Sequence, residues 1–263
     1  MEENSENIER RRQSLKELRL RTAALLADRD MLKFHLCPFY EHEYVSRICV
    51  NESSAYNLEN RFSRLYEKCR IISGLKEKGE EIDLYAVDDQ VSALFREKDA
   101  ELERKFGELK QRLNDSSYSL KIGKMELARL TSAYAHLAEK MSPDINPAET
   151  DLDREMFGQI QECYRNGNEG QMKIYSVIVG RKNRIPDDIS EEEITVQTER
   201  LTRLMRETAA EIRGIKRRKP YIYRRVLDSK SRSAAVVYHL QKLSMEYKKL
   251  IIEYTDKISE MTE

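Results

Sequence analysis

Apolar side chains recur at spacings of three and four residues along nearly the whole chain, and this repeat most limits the fold. The last part of the chain shows it plainly, with Val236, Leu240, Leu243, Tyr247, Leu250 and Tyr254. Residues three and four apart share one face of a helix, whereas the faces of a strand repeat every second residue. No stretch alternates with period two for long enough to form a strand, so the sequence predicts an all-α fold.

The composition favours long helices with narrow apolar faces. Of the 263 residues 36% are charged, and the chain contains nine Gly, five Pro and no Trp. Glu, Lys, Arg, Leu and Ala lose little rotamer freedom in a helix. The N-terminus lacks the apolar stretch of a signal peptide, and no apolar run approaches the roughly 20 residues of a membrane span. We therefore expect a soluble, cytoplasmic protein.

A heptad repeat marks the first helix. Leu18, Leu25 and Leu32 recur every seven residues, which predicts a coiled-coil seam on a helix that runs to about His35. Pro38 is expected to break the helix there, because its ring cannot continue the hydrogen-bond ladder. Such seams need partners. Antiparallel packing within the chain and self-association into a homo-oligomer both fit the pattern.

The segment EKMSPDINPAE predicts a rigid turn between two antiparallel helices. Pro143 moves Ser142 away from helical geometry and so ends the preceding helix. Asn146 and Pro147 form a pattern typical of an N-cap followed by the first helical residue. The connector is polar, and it is expected to present Asp144 to solvent.

The helices on either side of this turn carry a recognisable pair of motifs. The first contains Tyr-x-x-Leu-Ala and the second Phe-x-x-Ile-x-x-Cys-Tyr; the residues are Tyr134, Leu137, Ala138, Phe157, Ile160, Cys163 and Tyr164. With the Ser-Pro-Asp turn between them, these motifs resemble helices II and III of a J-domain, the DnaJ-type co-chaperone module. The match covers roughly residues 125–180. The whole chain is similar to bacterial J-domain-containing proteins with coiled-coil helices.

The resemblance implies a helical hairpin and a turn with a known role. In J-domains the tripeptide is His-Pro-Asp, and its histidine is central to stimulating ATP hydrolysis by a DnaK-type chaperone. Here the tripeptide is Ser142, Pro143 and Asp144, and a hydroxyl offers neither the area nor the partial positive charge of an imidazole. The packing between the two helices is assigned by the resemblance to Tyr134, Leu137, Phe157, Ile160 and Tyr164. We therefore expect a degenerate J-like module with an architectural role.

Three regions follow from these patterns. Residues 1–115 form an N-terminal helical coiled-coil region, 118–180 the degenerate J-like domain, and 188–263 a C-terminal helical hairpin or coiled coil. The expected function is a non-enzymatic protein–protein interaction or scaffold role associated with chaperones. One alternative is an active, atypical co-chaperone of a DnaK-type ATPase. Another is an adaptor that binds nucleic acid or anionic membrane.

The adaptor alternative depends on the basic segment 213–232. Nine Arg or Lys side chains face one acid there, Asp228, and Tyr221 and Tyr223 lie among them. Such a segment can bind phosphates and stack bases. Cations at the end of a helix also stabilise its dipole without any ligand. The candidate anion-binding residues are Lys216, Arg217, Arg218, Lys219, Arg224 and Arg225.

No catalytic or metal site is predicted. His35, Cys37, His42 and Cys49 lie within fifteen residues, but they lack the tight Cys-x-x-Cys pair typical of zinc sites, and a packed helix corner fits them better. The sequence contains neither a phosphate-binding glycine loop nor a Ser/His/Asp signature. We therefore expect no enzyme activity and no cofactor.

Overall fold

A computed structural model of the chain describes residues 2–115, 122–147, 150–180, 185–186 and 188–263; the side chains of 2–5, 109–110 and 112–115 lie outside the description. The described residues contain helices and turns and no strand, which confirms the predicted all-α class. Within these residues, every helix is too short or too polar to cross a bilayer.

The helices match the apolar repeat of the sequence. In chain order they are α1 Glu2–Met31, α2 Cys37–Tyr44, α3 Val50–Lys78, α4 Leu84–Asp115, α5 Lys124–Met141, α6 Asp151–Arg165, α7 Glu169–Val179, α8 Glu191–Lys216, α9 Arg224–Leu227 and α10 Lys230–Thr262. Ser190 and Glu193 form a capping box at the start of α8. Helix α3 passes through Gly74 and ends at Gly79, whose φ of 70° lies in the left-handed region that favours glycine.

Pro38 does not interrupt the helical path, so the predicted helix break at this residue is wrong. The residue lies inside α2, directly after a π-helical turn at Leu32–Leu36. In that turn the Cys37 N–H donates to the Leu32 carbonyl, five residues back. The π turn is wider than an α turn, and such turns are common where a helix must accommodate an irregularity. The widened turn explains how the helical path continues through the proline.

The helices form two compact units, each made of two separate segments. Unit 1 comprises Met1–Phe39 and Tyr118–Ile222, and unit 2 comprises Tyr40–Ser117 and Tyr223–Glu263. Contacts between residues distant in sequence therefore hold each unit together. The division of the chain into the regions 1–115, 118–180 and 188–263 follows from the sequence pattern alone. It stays a prediction.

Unit 1 surrounds the hairpin of α5 and α6. Helix α1 runs antiparallel to α5, since Arg19 contacts Glu139 whereas Asp30 contacts Tyr134. Helix α8 runs parallel to α1, because Arg11 lies beside Thr195 and Lys33 beside Glu211. The core contains these buried residues: Leu15, Leu26, Leu130, Tyr134, Leu137, Met141, Ile145, Ile160, Tyr164, Met172 and Leu201. Helix α1 thus packs directly on α5 of the hairpin, and α8 packs on α1.

Unit 2 is built on α3, which packs extensively against α10. The contacts advance in the same direction along both helices: Phe62 lies against Tyr247 and Tyr254, and Ser73 contacts Met261. The two helices are therefore parallel. Short loops force neighbouring helices to be antiparallel, but the connection from α3 to α10 is long.

The parallel register of α3 and α10 can be tested by cross-linking. The Ser73 hydroxyl lies 3.4 Å from the Met261 sulfur. A Ser73→Cys, Met261→Cys variant should therefore be linked efficiently by a short bis-maleimide, as read by peptide mapping. The control pair is Ser73→Cys with Ser231→Cys; Ser231 lies 30 residues earlier on α10, about 45 Å along the helix. A link in the control pair and none in the first would contradict the parallel register.

Candidate functional site

The Ser-Pro-Asp turn follows α5 directly. Ser142 leaves helical geometry with φ −66° and ψ 126°, as expected for a residue before proline. Its N–H still donates to the Ala138 carbonyl at 2.9 Å, and its own carbonyl accepts from the N–H groups of Ile145 and Asn146 at 3.0 and 2.8 Å. The turn is therefore closed by its own backbone.

Asn146 holds the turn against the end of α5. Its side-chain amide donates to the carbonyls of Glu139 and Ser142 at 3.0 and 3.3 Å. The expected N-cap role of Asn146 is wrong: α6 begins at Asp151, and Thr150 is its N-cap and accepts from the Asp153 N–H. Asn146 instead satisfies carbonyls that the end of α5 leaves without helical partners.

A buried arginine from α1 fixes this assembly. Arg19 is only 2% exposed, and its Nε donates to the Glu139 carboxylate at 2.9 Å. Its Nη2 donates to the Glu139 carbonyl at 3.1 Å and to the Asn146 side-chain oxygen. One guanidinium therefore joins α1, the last turn of α5 and the loop. A buried charge is tolerated only when it is paired in this way.

A second arginine contacts the turn from α8. Arg200 donates from Nη1 to the carbonyl of Asp144 and from Nη2 to the carbonyl of Ile145. Burial and the nearby charge of Arg19 lower the pKa of Arg200, while Asp144 acts in the opposite direction. The turn is thus held from two sides, by α1 and by α8.

The three residues of the turn differ in accessibility. Ser142 is 2% exposed, Pro143 is half-buried and Asp144 is exposed. The Ser142 side chain therefore lies away from solvent, and the backbone carbonyls of Asp144 and Ile145 are already occupied by Arg200. Among the three side chains, that of Asp144 is the one most open to a partner.

The residues assigned to packing between the two helices lie together in one core. Tyr134, Leu137, Phe157, Ile160 and Tyr164 are all buried in the same cluster. The rings of Tyr134 and Tyr164 stack with centroids 4.2 Å apart. The Tyr134 hydroxyl donates to the Asp30 carboxylate at 2.8 Å, and burial together with this carboxylate raises the pKa of Tyr134. The hairpin core therefore extends through a polar contact to α1.

His35 completes the buried polar group beside the hairpin. It is 3% exposed and meets the Tyr164 ring edge-on at 4.8 Å. Burial lowers its pKa, while a backbone hydrogen bond with Tyr164 opposes the change. The Tyr164 hydroxyl in turn lies 2.9 Å from that of Thr131. His35 is therefore a packing residue that stays neutral at neutral pH.

The polar contacts of Arg19, Arg200 and Asp30 were not predicted. The sequence does carry a signal for two of them, Arg19 and Asp30. Arg19 and Asp30 lie at helical spacing with the buried residues Leu15 and Leu26 of α1, so each occupies a core position. A charged residue at a core position indicates a buried partner. For Arg200 no comparable signal exists, because its partners are backbone carbonyls of a distant turn.

The candidate anion-binding residues are all exposed. Lys216 ends α8, and Arg217, Arg218 and Lys219 follow it in unit 1. Arg224 and Arg225 belong to α9 in unit 2, where Arg224 forms an ion pair with Asp228 at 2.6 Å. Exposed cations can bind an anion, and they can equally stabilise the ends of helices. The anion-binding role of the basic segment therefore stays a prediction.

The four cysteines are free thiols: Cys37, Cys49, Cys69 and Cys163. In the part of the chain that the structure describes, no group of three or more His, Cys, Asp or Glu side chains is placed to hold a metal ion. The cluster of His35, Cys37, His42 and Cys49 in the sequence therefore does not come together as a ligand set within the described residues.

Comparisons of the chain with family models, with curated proteins and with solved structures found no significant match in any of the three. The arguments for the function of the turn come from the contacts of its own residues.

Removing the buried arginine should destabilise unit 1. We expect Arg19→Met to lower the free energy of unfolding by about 3 kcal/mol, because the Glu139 carboxylate and the Asn146 side-chain oxygen both lose the guanidinium as their partner. The control is Arg21→Met on the same helix, where the side chain is exposed and forms only a surface ion pair with Glu17. Denaturant unfolding measures both variants. Equal stability of the two variants would show that Arg19 does not hold the turn.

Buried His35 should make stability depend on pH. The folded-state pKa is lower than the unfolded value of 6.5, so the unfolded state binds the proton more readily. The free energy of unfolding should therefore fall as the pH drops below about 6.5. His35→Phe keeps a ring against Tyr164 and should remove this part of the pH dependence. The exposed His136, changed to Gln, should leave it intact; a loss in this control instead would contradict the assignment.

Proposed function

We propose that the protein is a non-enzymatic protein-interaction or scaffold protein in which the J-like hairpin has an architectural role. The observation that carries the proposal is the occupation of the Ser-Pro-Asp turn by the chain's own arginines. Arg19 holds the loop through Asn146, and Arg200 takes the carbonyls of Asp144 and Ile145. A turn engaged in this way packs helices together, and it is not presented freely to a chaperone.

The burial of Ser142 supports the same conclusion. The resemblance to J-domains assigns the key contact with a DnaK-type ATPase to the first residue of the tripeptide. Ser142 is 2% exposed, so its hydroxyl has little surface to offer a partner. Asp144 is exposed, but its neighbour Lys140 donates to the Gly180 carbonyl and Glu139 pairs with Arg19. The charged side chains of α5 next to the turn, Glu139 and Lys140, are therefore engaged within unit 1.

An apolar face on α7 supports the interaction part of the proposal. Ile174, Val177 and Ile178 are 52%, 76% and 52% exposed, and their spacing places them on one side of the helix. Scattered exposed apolar residues are normal, whereas contiguous ones are typical of binding surfaces. Three exposed branched aliphatic side chains within five residues on one face of α7 are the contiguous type that favours a binding surface.

The proposal predicts that the protein leaves a DnaK-type ATPase at its basal rate. Steady-state ATP turnover should be the same with and without this protein, because the turn is engaged internally. Asp144→Asn should make no difference. The matched control is Asp151→Asn, which changes an exposed aspartate at the start of α6. An active DnaJ-type co-chaperone, added to the same ATPase, provides the positive control.

One outcome of the ATPase measurement would contradict the architectural role of the turn. Stimulation of ATP turnover that is lost in Asp144→Asn and kept in Asp151→Asn would identify an active, atypical co-chaperone. In that case the serine would substitute for the histidine of the family, and the contacts made by Arg19 and Arg200 would have to open on binding.

A further inference from the structure

The two arginines that hold the turn are not equivalent. Arg19 is 2% exposed, and its partners include a carboxylate, that of Glu139. Arg200 is only partly buried, and its two hydrogen bonds end on neutral backbone carbonyls. Both arginines donate from a charged group, but only Arg19 also has an ionised acceptor, whose attraction at a buried site adds to its hydrogen bonds. The contact from α1 is therefore part of the core, whereas the contact from α8 is the weaker one.

Electrostatics also favour release of Arg200 over Arg19. The positive charge of Arg19 lies close enough to disfavour the charged form of Arg200, and the Asp144 carboxylate opposes this effect. Removing Arg200 to solvent would relieve its desolvation and this repulsion. Removing Arg19 would leave Glu139 without its partner in a buried site. The contacts of Arg19 with the turn are therefore the harder ones to break, and the contacts of Arg200 are the easier ones.

The turn itself can open without the helices that flank it. Its closing hydrogen bonds run from the N–H groups of Ile145 and Asn146 to the Ser142 carbonyl, within one short segment. None of them belongs to the ladders of α5 or α6. Local opening of a loop costs less than global unfolding when few contacts must break. Besides the bonds that Asn146 makes with Arg19 and with the end of α5, the contacts of Arg200 limit such opening from outside the turn.

We propose that Arg200 is a latch that holds the Ser-Pro-Asp turn closed and that its release opens the turn while the hairpin core stays folded. The latch joins α8 to the turn through the carbonyls of Asp144 and Ile145. When it opens, the backbone carbonyls of Asp144 and Ile145 become accessible to a protein partner. The use of the opened turn by a partner rests on the proposed function; the latch itself does not.

Hydrogen–deuterium exchange tests the latch in the full-length chain. In Arg200→Ala the amides of Ile145 and Asn146 should exchange faster by on the order of tenfold, since hydrogen bonds from a charged group have been lost. Amides in the core of the hairpin, at Tyr134 and Ile160, should keep their wild-type rates. The matched control is Arg203→Ala, an exposed arginine one turn further along α8. Arg200→Lys should lie between, because an ammonium cannot bridge two carbonyls as a guanidinium does.

Two results would overturn the latch. One is equal exchange at the turn in Arg200→Ala and Arg203→Ala. The other is an equal acceleration throughout α5 and α6, which would make Arg200 part of the core. If Arg200→Ala does not fold, the wild-type protein decides the question in low denaturant. The turn amides must then open at a lower free energy than those of Tyr134 and Ile160; opening only with global unfolding would contradict the proposal.

The exchange result is independent of the ATPase result. Stimulation of a DnaK-type ATPase would overturn the architectural role of the turn and leave the exchange rates unchanged. A turn that does not respond to Arg200→Ala would remove the latch and leave the scaffold role in place.

Discussion

Unit 1 depends on the burial of one positive charge. A guanidinium that is almost fully removed from water costs several kcal/mol unless ionised and polar partners surround it. Arg19 finds these partners in the Glu139 side chain and backbone and in Asn146. Because they belong to the end of α5 and to the following loop, α1 can pack only in the register that brings them together. The turn, the hairpin and α1 therefore form one structure.

Other polar contacts in the core extend this constraint. The Tyr134 hydroxyl donates to Asp30, and Thr131 and His35 both contact Tyr164. An apolar core tolerates shifts of a helix by part of a turn, but directional bonds at low dielectric do not. These contacts specify how α1 lies on the hairpin more strictly than leucine packing would. The same residues make the core sensitive to pH and to the loss of any one partner.

Each unit pairs a helix from the first third of the chain with a parallel helix from the last third. Helix α1 lies beside α8 in unit 1, and α3 lies beside α10 in unit 2. Parallel neighbours need long connections, and here each connection includes whole helices of the other unit. Contacts of such long range close late and slow folding, because the entropy of closing the chain is lost before they form. Arg200, which joins α8 to the turn, belongs to this class of contact.

The sequence by itself determined the helical class and the C-terminal end of α5, and it grouped the apolar residues of the hairpin. All of these follow from local period and proline geometry, which act within a few residues. It did not predict the path through Pro38 or the parallel packing of α3 and α10. Only the tertiary structure decided these and brought Arg19 and Arg200 to the turn. The partners of these arginines lie 120 and 127 residues from Arg19 and 55 and 56 residues from Arg200, so no local pattern encodes the contacts.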